Sequence, residues 1–333
     1  MVQTDSIQST FLEQIKNKLA PHLSFADEMA ELLNISRDSA YRRIRGETIL
    51  SLDEVRLLTN HYGISLDAFI SPAKDRVSFQ LKALETDDFS FEKWLKSFLD
   101  NLEIFLASPE KEKELIYDAK DLPIFHYFQF PRLSAFKMYF WMKYFARDAK
   151  FNSGKFDPKR VDNKLLSMGE KIWELYSRIP CTEIITYELL TITLRQIEYA
   201  HDCGMFTDPH EAAALCDDCL LLSNHLKLQA EIGFKQTFGS TEQGAKYELY
   251  LNEVLIGANT AMFKLDTRRI VFITPNNFDL LTTTHESFCK ITEDHIHNLI
   301  DKSVLISVSA KKERTKFFNR IEEQTQALKA KIL

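Results

Sequence analysis

The 333-residue sequence has little of what disulfide-rich, membrane-anchored or nucleotide-binding proteins require. Its five cysteines are odd in number and are spread through a long chain, which argues against a disulfide framework and favours a reducing compartment. No early stretch combines basic residues with an uninterrupted apolar run, so we expect neither a signal peptide nor a membrane anchor. The nine glycines form no phosphate-binding loop, and neither a nucleophile elbow nor a metalloprotease motif is present. We therefore expect a cytoplasmic protein that is not an enzyme and needs no cofactor.

The composition of the chain is that of a large globular protein with more than one domain. Apolar residues make up 45% and aromatic residues 12% of the sequence, enough for a sizeable core. A proline and small residues interrupt the helical pattern at residues 71–74. We therefore predict one domain over residues 1–72 and a second over residues 75–333.

Residues 25–46 carry the pattern of two short helices joined by a tight turn. Apolar residues recur at helical spacing over residues 25–34, so one face of this helix can be buried. Asn34 suits the left-handed backbone that ends a helix, Ser36 can cap the next helix with its hydroxyl, and Gly46 can end it. The second helix contains four arginines: Arg37, Arg42, Arg43 and Arg45.

These residues carry a resemblance to a known family. Met29 and Ala30, Ile35 and Ser36, the arginine-rich helix before Gly46, and the stretch from Ser51 to Asp67 are similar to the lambda-repressor-like (Xre-type) helix-turn-helix family. The resemblance is confined to residues 1–72 and implies a DNA-binding domain of four or five helices.

The resemblance also implies which residues meet double-stranded DNA. In this family the third helix enters the major groove and contacts base edges. Carried over by position, the base contacts are Arg37, Asp38, Tyr41 and Arg42. The phosphate contacts are Ser24, Arg43, Arg45 and Thr48. The alternative is that the arginine-rich helix is only a solvated face.

The charge of the first domain makes any attraction to DNA a local one. Residues 1–72 hold seven Lys and Arg against ten Asp and Glu, whereas residues 36–46 hold four Arg against one Asp. Because few phosphates would be neutralised, we expect weak non-specific binding and a modest dependence on salt.

The second domain is predicted to be mainly α-helical. Helical patterns occupy residues 79–105, 132–149, 158–179, 182–203, 208–237, 285–302 and 310–331. Residues 115–117 and 123–125 could be extended. Alternation over residues 245–284, with a hairpin turn at residues 266–269, predicts a small antiparallel sheet. The fold class expected for the whole chain is therefore mainly α.

Three features of the second domain are each open to more than one interpretation. Ten of the residues 125–145 are aromatic, which fits a packed core, the wall of an apolar ligand pocket or a dimer surface. The apolar stripe of the last helix could dock on its own domain or pair with its twin. A zinc site is suggested by the histidines and cysteines His201, Cys203, His210, Cys216 and Cys219. Helical spacing, however, puts Cys216 and Cys219 on one apolar face, where they are more simply explained as core residues. We therefore predict no metal.

Two functional hypotheses follow. The first is a sequence-specific DNA-binding transcriptional regulator that is a homodimer and is controlled, through its C-terminal domain, by an unidentified small-molecule or protein effector. The second makes the C-terminal domain a protein-interaction module or an enzyme, with the helix-turn-helix serving autoregulation or protein binding.

Overall fold

The computed structural model describes residues 6–19, 23–64, 77–82, 90–144, 149–152, 154–253, 259–275 and 279–333. The chain divides into two compact units, Met1–Ser78 and Phe79–Leu333. The predicted linker at residues 71–74 and the last predicted segment of the helix-turn-helix domain, residues 65–69, lie outside the described residues. In the part of the chain that is described, no helix has the length and apolarity that crossing a membrane requires.

The N-terminal unit is a small helical domain. Its described helices are α1 (Ile7–Lys18), α2 (Phe25–Leu33), α3 (Arg37–Ile44) and α4 (Leu52–Tyr62). Each helix contributes to one core, in which Phe11, Ile15, Met29, Ala40 and Leu58 are at most 2% exposed. The α3 helix is the most polar of the four because only Ala40 is buried on it.

The C-terminal unit combines helices with one large sheet. Its helices are α5 (Phe91–Ala107), α6 (Pro131–Tyr144), α7 (Ala149–Asn152), α8 (Asn163–Ser177), α9 (Thr191–Asp202), α10 (Pro209–Ile232), α11 (Glu286–Asp301) and α12 (Lys311–Ile332). Two 3₁₀ helices cover Ile124–Gln129 and Pro158–Arg160. The strands are β1 (Gln80–Lys82), β2 (Lys113–Asp118), β3 (Cys181–Ile185), β4 (Phe234–Gln236), β5 (Gln243–Leu251), β6 (Thr260–Leu265), β7 (Arg268–Ile273), β8 (Leu280–Thr283) and β9 (Val304–Leu305).

The sheet overturns the predicted fold class. In the described part of the chain, nine strands form one mixed sheet in the order β1-β8-β7-β6-β2-β3-β5-β4, with β9 paired to β5. The central strands β2, β3 and β5 run parallel, whereas the flanking pairs are antiparallel. The prediction of a mainly α fold with a small antiparallel sheet over residues 245–284 is therefore wrong, although helix still accounts for 59% of the structure. The predicted hairpin is present as β6 and β7.

The missed strands have a physical explanation. Strand β3 is buried at all five positions, and a strand covered on both faces shows no alternation of polar and apolar residues. Its five residues, Cys-Thr-Glu-Ile-Ile, therefore cannot be told from the start of the helix predicted over residues 182–203. Likewise, the predicted helix over residues 208–237 ends at Gly233, whose φ of +75° lets β4 follow at once.

The two faces of the sheet pack against different helical layers. On one face, Ile116, Ile184, Met262 and Val271 pack against α11. The opposite face packs against a larger core built from α5, α6, α8, α9, α10 and α12. The apolar stripe of α12 belongs to this core, so it docks on its own unit. The described part of the aromatic segment, residues 125–144, is largely core as well; Phe145 lies outside the described residues.

A carboxylate lies at the centre of the larger core. Glu183, on β3, is fully buried, and its Oε1 accepts a hydrogen bond from Tyr176 and lies 2.8 Å from the Nε2 of His126. Its Oε2 accepts a bond of 2.7 Å from the Tyr247 hydroxyl. Burial alone would raise the pKa of Glu183, but His126 and the tyrosine hydroxyls hold it below its ordinary value. This hydrogen-bond network ties β3 to the helices and to β5.

Asp118, at the end of β2, provides a test of the sheet. It is 2% exposed, its Oδ1 has no hydrogen-bond partner, and burial raises its pKa to about 7. The pKa of Asp118 is higher in the folded than in the unfolded chain. Ionisation of Asp118 therefore lowers the free energy of unfolding as pH rises from about 4 through 7.

We predict that Asp118→Asn removes this dependence. Relative to wild type, the variant should gain roughly 3 kcal/mol of unfolding free energy between pH 5 and pH 8, measured by urea denaturation at both pH values. Asp100→Asn, at an exposed position of α5, is the control and should leave the pH dependence unchanged. If the free energy of unfolding changes with pH in the same way in wild type and in Asp118→Asn, the pKa of Asp118 is not raised in the folded protein.

Candidate nucleic-acid interface

The turn between α2 and α3 is fixed by the backbone of a few residues. Asn34 ends α2 in the left-handed conformation, with a φ of 52°, and its N–H donates to the carbonyls of Ala30 and Glu31. The Ser36 hydroxyl caps α3 by accepting from the N–H of Ser39. Gly46 follows α3 with a φ of +76°, which a residue without a Cβ adopts at no steric cost. The predicted roles of Asn34 and Ser36 in this turn are confirmed.

The residues predicted to contact bases lie on one exposed side of α3. Arg37 and Tyr41 are one helical turn apart, as are Asp38 and Arg42, so the four form a continuous strip. The side chains of Arg37 and Arg42 are 61% and 55% exposed, and Tyr41 is 42% exposed. The guanidinium of Arg37 lies 5.8 Å from the centre of the Tyr41 ring, a cation–π distance.

Two carboxylates form ion pairs with the exposed arginines. The Oδ1 of Asp27, on α2, lies 2.9 Å from the Nε of Arg37. Glu47 lies between two arginines, 3.2 Å from Arg45 and 3.9 Å from Arg42. All of these side chains are about half exposed, and such surface pairs contribute about 0–1 kcal/mol. A stronger anionic partner can therefore replace them.

Arg43 differs from the other three arginines. Its side chain is 17% exposed, and its Nη2 and Nε lie 2.8 Å and 3.1 Å from the Oε1 of Glu54, while Nη1 donates to the Ser39 carbonyl. The Oε2 of Glu54 accepts from the N–H of Ser51 in a capping box that begins α4. Burial would raise the pKa of Glu54, but Ser51 and Arg43 hold it below its ordinary value. Arg43 thus braces α3 against α4, and its predicted phosphate contact stays a prediction.

The other residues predicted to contact phosphates lie at element ends. Ser24 is exposed at the start of α2, and its hydroxyl makes no capping bond there. Arg45 is 59% exposed at the end of α3. Thr48 is half-buried in the loop that follows.

Gln8, on α1, has a role that the sequence analysis missed. Its Nε2 donates to the carbonyls of Arg43 and Thr48, both at 2.9 Å, and its Oε1 accepts from the N–H of Leu50 at 2.9 Å. One side chain thus fixes the loop between α3 and α4. No local pattern reveals it, because its partners lie 35 to 42 residues away along the chain. The brace by Glu54, in contrast, follows from a local signal, the Ser51-x-x-Glu54 capping box.

The histidines and cysteines considered as zinc ligands do not form a site. Cys216 and Cys219 are fully buried in the apolar core, and burial raises the pKa of Cys216 to about 11. Cys203 is exposed. Within the described residues, no group of three or more His, Cys, Asp or Glu side chains is arranged to hold a metal ion.

We predict that Gln8→Ala loosens the loop after α3. Losing three part-buried hydrogen bonds should cost roughly 1–3 kcal/mol of local stability, measured as faster amide exchange at residues 46–51. Gln14→Ala, at an exposed position of the same helix, is the matched control. Equal protection of the loop in the two variants would contradict the role given to Gln8.

Comparisons with known proteins found no relative of this chain. No family model, no curated protein and no solved structure matches the chain. Functional inference therefore rests on the chemistry of the two units themselves, and in the N-terminal unit on the arginine-bearing face of α3.

Proposed function

We propose that the chain is a sequence-specific DNA-binding transcriptional regulator that acts as a homodimer and is controlled through its C-terminal unit. The observation that carries the proposal is a short, capped helix that follows a tight turn and presents Arg37, Tyr41 and Arg42 on one exposed face. A helix of this kind fits the major groove of B-form DNA.

The energetics of the arginines favour this use. The carboxylate pairs of Arg37 and Arg42 are exposed and contribute about 0–1 kcal/mol each. A bidentate contact from an arginine to the O6 and N7 of guanine provides roughly 1–3 kcal/mol of discrimination against other bases. Arg37 and Arg42 can therefore leave their carboxylates at little cost in free energy when they contact a base. Until DNA binds, Asp27 and Glu47 keep both guanidinium groups on the face where bases would be met.

Phosphate contacts in this proposal come from Ser24, Arg43, Arg45 and Thr48. They are few, and the residues around them are acidic, so non-specific affinity should be weak. Arg43 also positions α3, because its guanidinium is engaged by Glu54 and the Ser39 carbonyl.

The proposal includes a homodimer because a single recognition helix contacts only a short stretch of DNA. One helix in the groove reads only a few base pairs, and useful specificity usually requires two half-sites about 34 Å apart. The C-terminal unit would supply the pairing surface.

We predict that Arg37→Ala combined with Arg42→Ala abolishes sequence preference. The affinity for a site selected from random duplexes should fall by roughly 1–3 kcal/mol for each arginine, measured by fluorescence anisotropy. Arg56→Ala is the matched control, because Arg56 is 69% exposed on α4 and pairs with Asp53. Arg45→Ala should instead weaken all duplexes alike and lower the salt slope by about one.

Two results would contradict these assignments. Unchanged site preference in the Arg37/Arg42 variant would remove α3 from the groove. An Arg56→Ala variant that loses as much preference would show that general charge, and not the face of α3, determines binding.

We also predict that the full chain is a dimer at micromolar concentration. Sedimentation equilibrium should give about twice the chain mass of 38.7 kDa, without DNA and independently of the Arg37 and Arg42 substitutions. A mass of one chain at these concentrations would contradict the homodimer.

A further inference from the structure

The C-terminal unit contains a cavity that the proposed DNA contacts do not use. Its volume is about 490 Å³, within the range of pockets that bind small molecules. It lies between the sheet and the helices α5 and α6, and several aromatic rings line it. The rings that matter here are Trp94, Phe98, Phe125, Trp141, Phe263 and Phe272.

The rings of the wall pack against one another. Trp94 meets Trp141 edge to face at 5.9 Å between ring centres, and Phe98 meets Phe125 in the same way at 5.9 Å. On the sheet side, Phe263 and Phe272 are 5.1 Å apart. Such mutual packing holds the rings in place and leaves a preformed apolar space.

A buried lysine forms the polar end of this space. Lys137, on α6, is 3% exposed, and its Nζ donates to the Thr193 hydroxyl at 3.0 Å and to the Gln196 Oε1 at 2.9 Å. An ammonium group has three protons to donate. The nearest carboxylate, on Asp121, lies 3.8 Å from Nζ, beyond hydrogen-bond distance. Lys137 thus keeps donor capacity where it lines the cavity.

Asp121 is held by other donors. The N–H of Leu122 donates to its Oδ1 at 2.8 Å. The other oxygen, Oδ2, lies 3.8 Å from the Nζ of Lys137, so the two side chains form an ion pair without a direct hydrogen bond.

Among the described residues, the charged side chains that line the cavity are Lys93, Asp121, Lys137 and Asp279. The ammonium of Lys137 lies 4.8 Å from the centre of the Tyr127 ring and 5.1 Å from that of Trp141, so it already occupies a face of each of these two rings. A second cation would meet a like charge there. An anionic group, in contrast, would take up the remaining donor capacity of Lys137, while an apolar body would fill the aromatic space. Burial, which lowers the pKa of Lys137, makes such an added anion more favourable.

We propose that this cavity is a binding site for an apolar carboxylic acid, with the carboxylate on Lys137 and the hydrocarbon or aromatic body between the rings of α5, α6 and the sheet. The site lies wholly within the C-terminal unit. It does not depend on DNA binding, and its test contains no DNA, so either proposal can fail alone.

The test uses the full chain and matched probes. Isothermal titration with decanoate and with 2-naphthoate should show saturable binding, whereas decan-1-ol should bind at least about tenfold more weakly than decanoate and decylamine should not bind. Failure of both carboxylates to bind at millimolar concentration would overturn the proposal. Equal affinities for decanoate and decan-1-ol would overturn the role of Lys137.

Two variants test the lysine end of the cavity and its apolar space separately. Lys137→Met should weaken decanoate by about tenfold or more and leave decan-1-ol unchanged, with Lys143→Met, on the same helix but outside the cavity lining, as the control. Ala261→Phe places a ring inside the cavity from β6 and should abolish binding of every probe while keeping Lys137. Both variants should retain the wild-type circular dichroism spectrum. Undiminished decanoate binding in either folded variant would overturn the site.

Discussion

A half-buried ion pair between Arg43 and Glu54 is the contact on which the arginine-bearing face depends. It joins α3 to the first turn of α4, and the same carboxylate completes the capping box of Ser51. Gln8 fixes the intervening loop from the other side. Of four neighbouring arginines, one therefore positions the helix, and the remaining three are exposed and held loosely by Asp27 and Glu47. A charge count alone could not make this division.

Buried charges in the C-terminal unit differ in the same way. Glu183 is surrounded by His126, Tyr176 and Tyr247, so its hydrogen-bonding capacity is filled and its role is to hold the core together. Lys137 lines a cavity and keeps donor capacity, because it donates to Thr193 and Gln196 only, and Asp121 lies 3.8 Å away. Satisfied charges of this kind stabilise a fold, whereas incompletely satisfied ones at a cavity are suited to bind a ligand.

What the sequence could predict follows from the range of the interactions. The corner at Asn34 and Ser36, and the hairpin of β6 and β7, depend on residues close together in the chain, and local patterns were sufficient to predict them. Strand β3 was assigned to a helix because it is covered on both faces and shows no alternation. The aromatic segment 125–145 left a ligand pocket open as one of three interpretations, and several of its residues line the cavity. The loop contact of Gln8 and the hydrogen bonds of Lys137 bring together residues far apart in sequence, so no local pattern indicates them.

The most direct test of the central claim asks whether α3 faces DNA. A photocrosslinking phenylalanine analogue in place of Tyr41, which is 42% exposed on α3, can be compared with the same analogue in place of Leu57, which is 43% exposed on α4. With duplexes selected by the full chain, the α3 probe should crosslink to bases in the major groove, and the α4 probe should yield little or no base adduct. Equal crosslinking from both positions, or none from α3, would contradict the account.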